Sequence, residues 1–125
     1  MAELKIYNSI SDTEPSKVYT CYRTTITINN QLEELTEEVN EIYKQINELA
    51  ATVTEETPAE EAKKVKAESK ELEARACELT LESIRLFFPE FTDEEFLKLD
   101  PYDYQTFVLE IKELRNKIYG RAVKN

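Results

Sequence analysis

Between Asn30 and Phe88 apolar side chains recur in alternating steps of three and four residues, a spacing that only a helix turns into one continuous stripe. Leu32, Leu35, Val39, Ile42, Ile46, Leu49 and Val53 make a first row. After a break at Thr54 to Thr57, a second row runs through Ala62, Val65, Ser69, Leu72, Ala76, Leu79, Ser83 and Leu86. Neither row is stable in water alone, so the economical solution is an antiparallel helical pair, each arm about 35 to 45 Å long at ~1.5 Å per residue. The second row is graded, with Ala62, Val65 and Ser69 near the turn and leucines farther on, so packing is expected to be weakest at the tip.

The ends of these helices are marked by polar punctuation. Asn30 with Glu33 reads as a capping box for the first helix, and Thr57, Pro58 and Glu60 read as cap, first and third positions of the second. Pro89 stops the second helix at Phe88. Thr92 with Glu95 forms another capping box, with Phe91 and Phe96 spaced as a hydrophobic staple. Asp100, Pro101 and Asp103 open a last helix, with Leu99 and Tyr104 as a second staple. Tyr104, Phe107, Val108, Ile111, Leu114 and Ile118 form its apolar face, and Gly120 is placed to end it. A further stripe, Ala74, Cys77, Leu81, Ile84 and Phe88, predicts that the base of the pair is covered on a second side by these C-terminal helices.

Ahead of the helices, Leu4 to Ile10 reads as a strand, and Ser11 to Ser16 as the loop after it. The β-branched and aromatic run Val18 to Ile28 reads as a second strand, with Val18, Tyr22, Ile26 and Ile28 on one face and Tyr19, Cys21 and Arg23 on the other. Two strands alone are marginal, so the hairpin needs a helix beneath it or a strand from another copy beside it. The predicted fold is α+β and mostly α, in one domain. A β-hairpin spans residues 1–29, a long antiparallel helical pair spans 30–88, and two C-terminal helices over 89–125 pack on the base of the pair.

Chemistry is constrained by what the chain lacks. There is no histidine and one glycine, Gly120, which removes the commonest acid–base residue and glycine-rich phosphate cradles. The net charge of -10 opposes binding to nucleic acid and anionic membrane, and no stretch reads as a signal peptide or membrane span. Cys21 and Cys77 sit in apolar patterns without metal-ligand spacing, as buried reduced thiols of a cytoplasmic protein would. Glu37, Glu38 and Glu41 form an EExxE pattern of the kind that all-helical, magnesium-dependent nucleotide pyrophosphohydrolases use with an ExxD, and Glu90 and Asp93 supply the latter by letter. Solvation of the helix is the simpler reading, and imitation of nucleic-acid phosphates is another use of such charge. No cofactor or catalytic group is expected.

Charge is unevenly spread. Residues 110–125 carry about +3 against about -8 over residues 30–85. Lys112, Arg115, Lys117 and Arg121 can therefore meet acidic helices of the same chain, or serve self-association by meeting those of another copy, or simply complement a helix C-terminus. The aromatic cluster Phe87, Phe88, Phe91, Phe96, Tyr102, Tyr104 and Phe107 exceeds what the end of a thin helical pair easily covers. Most of it is expected in the core, and any exposed subset is a candidate grip for a protein partner.

The run from Leu86 to Phe96, LFFPEFTDEEF, followed by a helix from Pro101, resembles the C-terminal part of tail assembly chaperones of long-tailed, siphovirus-like phages and prophages. The small β element ahead of the helices is similar too. The resemblance implies a non-enzymatic protein of the host cytoplasm that forms homo-oligomers, coats the tape measure protein while the tail is built and then leaves, often with a second, longer form made by frameshifting. A generic coiled-coil adaptor or phage structural protein is the alternative.

Overall fold

The computed structural model describes residues 1–124, with side chains as far as Lys117. Two strands, β1 (Ala2–Ile6) and β2 (Lys17–Cys21), precede four helices, α1 (Ile26–Ala51), α2 (Ala59–Phe87), α3 (Asp93–Leu97) and α4 (Pro101–Lys124). The predicted α+β, mostly helical architecture is the one observed. The chain divides into two compact units, one made of residues 31–83 and the other of residues 1–30 and 84–125.

The unit of residues 31–83 is the helical hairpin. Its buried and half-buried positions on α1 are Leu32, Leu35, Val39, Ile42, Ile46 and Leu49, with every side chain between them exposed. On α2 the corresponding positions begin Ala62, Val65, Ser69, Leu72, Ala76 and Leu79, so the two apolar rows are the surfaces the helices hide. Burial is deepest at Ala76, Leu79 and Ser83, and Val53 at the turn is exposed. Ser83 is tolerated in this row because its hydroxyl donates to the Leu79 carbonyl at 2.9 Å. In the turn, the Thr57 hydroxyl accepts from the Thr54 N–H at 2.8 Å instead of capping α2, and the Ala62 N–H reaches the Pro58 carbonyl as the helix begins.

In the other unit β1 and β2 pair antiparallel, with Leu4 opposite Tyr19. Both strands are shorter than their sequences suggest. Residues 7–10 belong to the connecting loop, and Ile26 and Ile28 belong to α1. Thr25, and not Asn30, caps this helix: its hydroxyl accepts from the Ile28 N–H at 3.1 Å, and its carbonyl accepts from the Asn29 N–H and side-chain amide. That cap outweighs the β preference of the run Thr24 to Ile28, which is worth only a few tenths of a kcal/mol per residue. Tyr19 points to the core, whereas Val18 and Tyr22 are exposed.

The hairpin rests on α4 through β1, whose Ala2, Leu4 and Ile6 are buried. The intramolecular helix beneath the strands is therefore present. The Thr92–Glu95 capping box forms as predicted, and the Asp100 carboxylate accepts from the Tyr102 N–H at 2.8 Å to start α4. Gly120 does not end α4, which continues to Lys124. Of the second stripe on α2, Ile84 and the following Phe88 are buried and Leu81 half-buried, but Ala74 and Cys77 are exposed. The expected burial of Cys77 does not occur, because that stripe turns toward the interior only in the last turns of α2. Cys21 is half-buried, and burial raises its thiol pKa.

Candidate functional site

The aromatic residues separate into a filled interior and a surface remainder. Phe88, Phe91 and Phe107 are buried, and Tyr19 of β2 joins them, its ring centroid 5.0 Å from Phe88 and 5.4 Å from Phe91. Phe107 lies 5.5 Å from both Phe87 and Phe88, which ties α4 to the end of α2. Such tilted and edge-to-face pairs each add about 0.5 to 1.5 kcal/mol beyond burial. Phe87, Phe96 and Tyr104 are half-buried, while Tyr102 stands 73% exposed.

Around this interior, Glu95 is the polar hub. Its Oε1 accepts from the Tyr19 hydroxyl at 2.6 Å and from the Thr92 N–H and hydroxyl at 3.1 Å each. Lys17 Nζ donates to the Tyr19 hydroxyl at 2.8 Å, sits 4.4 Å from the centre of that ring, and approaches Glu95 Oε2 at 3.5 Å. Burial alone would raise the Glu95 pKa, but the hydrogen bonds from Tyr19 and Thr92, together with the Lys17 charge, hold it below the ordinary carboxylate value. Tyr19 is shifted upward by burial and by donating to Glu95, and Lys17 upward mainly by its bond to Tyr19. These groups lock β2 to α3. Arg85 provides a second clamp, donating through Nε to the Phe91 carbonyl at 2.9 Å and through a terminal nitrogen to Asp93 at 3.0 Å.

Apolar side chains outside the interior are few but large. Leu97, at the end of α3, is 86% exposed, and Leu109 of α4 is also exposed. Tyr102 and Leu109 are seven residues apart and so share one side of α4. Ile10 is exposed in the β1–β2 loop, near which Lys98, the residue after Leu97, reaches Asn8 at 3.4 Å. Ile10, Leu97 and Leu109 were not singled out from sequence, since a lone leucine or isoleucine reads as core until its neighbours' burial is known.

Of the basic residues, Lys112 and Lys117 are exposed and Arg115 is half-buried, while the side chain of Arg121 lies outside the described residues. Glu37, Glu38 and Glu41 are exposed along α1. Among the described residues no three Asp, Glu or Cys side chains converge to hold a metal ion, and Asp93 of the ExxD letters is engaged by Arg85. No described helix is long and apolar enough to cross a membrane. Among the described residues the surface is largely charged and carries a limited set of large exposed apolar side chains, Ile10, Leu97, Tyr102 and Leu109 among them. No family model, curated protein or solved structure matches the chain.

Proposed function

We propose that this protein is a tail assembly chaperone of a long-tailed phage or prophage, which self-associates in the host cytoplasm and holds the tape measure protein soluble while the tail is built. It works by binding, without catalysis, cofactor, nucleic acid or membrane. The observation that carries the reading is the exposure of Leu97 and Tyr102 beside an interior already filled by Phe88, Phe91 and Phe107. Large apolar side chains left in water next to a packed core suit transient contact with an amphipathic helix, and the helical hairpin and acidic surface keep the complex soluble.

Leu97 and Tyr102 do not support the core, so replacing both with serine is expected to change unfolding free energy by about 0.5 kcal/mol or less per site. The same variant is expected to bind a long amphipathic helical client at least about tenfold more weakly, ~1.4 kcal/mol, and to lose suppression of client aggregation. Light scattering and a titration on the intact chain measure both, and undiminished holding by the variant would remove the proposal. A coiled-coil adaptor or structural protein, in contrast, would remain in purified particles in fixed stoichiometry.

A further inference from the structure

The outer edge of β2 is not used by the aromatic interior. In an antiparallel ladder, successive residues direct their N–H and C=O alternately toward and away from the neighbouring strand. The Glu3 N–H donates to the Glu110 carboxylate of α4 at 3.3 Å, so the pair Glu3 and Thr20 faces away from the ladder, and so does the pair Lys5 and Val18. On β1 this outward edge is covered by α4. On β2 the backbone groups of Val18 and Thr20 point outward, and no described residue bonds to them. The side chains beside that edge, Val18 and Tyr22, are 40% and 74% exposed.

The strand that carries this edge is already fixed in place by its own side chains. Tyr19 is fixed between Phe88 and Phe91 and bonded to Glu95, and Lys17 is bonded to Tyr19, so little ordering remains for a ligand to bring about. Charge then selects the occupant. Lys17 and Arg23 bracket the edge, and Lys5 lies opposite Val18. A second copy pairing about Thr20 would set each Lys17 against an Arg23 of the other copy, and so short a strand falls well below the ~800 Å² per partner that a stable dimer buries. An extended segment with carboxylates at its two ends meets the opposite charge at both.

We propose that the outer edge of β2 accepts an extended acidic peptide segment as a third, antiparallel strand, with backbone bonds to Val18 and Thr20 and carboxylates facing Lys17 and Arg23. The probe is acetyl-Glu-Val-Thr-Val-Thr-Val-Glu-amide, added to the intact ¹⁵N-labelled chain. The Val18 and Thr20 amides are expected to shift, and the same peptide with lysine ends is expected to bind at least about tenfold more weakly. Methylation of the peptide amides that face β2 is expected to abolish binding, while methylation of those facing away leaves it. Because the protein is unaltered throughout, loss of folding does not enter. Equal binding of the two methylated forms, shifts confined to other residues, or no response at millimolar peptide would overturn the proposal. Concentration-dependent broadening of Val18 and Thr20 without peptide would overturn it in favour of a second copy. A client held by Leu97 and Tyr102 leaves these amides unmoved, so this proposal and the assembly reading fail separately.

Discussion

Glu95 joins two kinds of information in one carboxylate. Its bonds to Thr92 are local and follow from a three-residue spacing, whereas its bond to Tyr19 spans 76 residues and follows from the packing of β2 on α3. The Thr92–Glu95 box is legible because it needs only adjacent backbone; the tyrosine partner is not, because no periodicity relates residue 19 to residue 95. The energetic consequence has a definite sign. A carboxylate held below its ordinary pKa of about 4.3 contributes stability that is fully present above that value and lost as pH falls through its folded value. Glu95→Gln is therefore expected to cost about 1.5 to 3 kcal/mol at neutral pH, the range for hydrogen bonds to a charged group. The gap from the unaltered chain should narrow below about pH 4 in urea unfolding. A gap that stays constant with pH would count against the hub. Lys17 and Tyr19 act in the other direction: both are raised, so their contribution is present below about pH 10 and fades as pH rises further.

Among the elements, the hairpin was the most legible and the strands the least. A period of three and four identifies the α1 row from Leu32 to Leu49 and the α2 row, since burial requires that period wherever two helices pack, but not Val53, which lies exposed in the turn beyond α1. The run Thr24 to Ile28 misleads because β-branched residues suit a strand only when strand neighbours exist, and here Thr25 starts a helix instead. The grading of α2 predicts where the hairpin opens first. Ala76, Leu79 and Ser83 are buried, while Ala62, Val65 and Ser69 are only half-buried. Amides over residues 52–65 are expected to exchange by local opening ahead of those around Leu79, with a difference of about 2 kcal/mol or more, equivalent to one buried leucine. Hydrogen exchange followed by mass spectrometry reads this directly. Equal protection at tip and base would show that the hairpin opens as one cooperative body.

At the scale of the molecule, a net charge of -10 is combined with a basic last helix. We infer self-association through these opposite charges, with Lys112 and Lys117 exposed on α4 and Glu37, Glu38 and Glu41 exposed on α1. Attraction between such exposed groups is expected to weaken steeply with salt. Replacing Lys112 and Lys117 by glutamate is expected to reduce association at low salt at least about tenfold, ~1.4 kcal/mol, and to have little effect at 1 M salt, where the screening length is about 3 Å. Sedimentation velocity distinguishes this from a simple complement to the helix end, which predicts no change in oligomer size.

The amino-acid order alone determined the helical pair, the breaks at Pro58 and Pro89 and the box at Thr92, because each depends on residues within a few turns of one another. Tertiary structure alone decided which aromatics are interior, that Tyr19 and not Val18 faces inward, and that one edge of β2 is left open. Those outcomes depend on which surfaces meet across most of the chain's length, and residue type does not encode that choice when Phe, Tyr, Leu and Ile suit core and interface equally well.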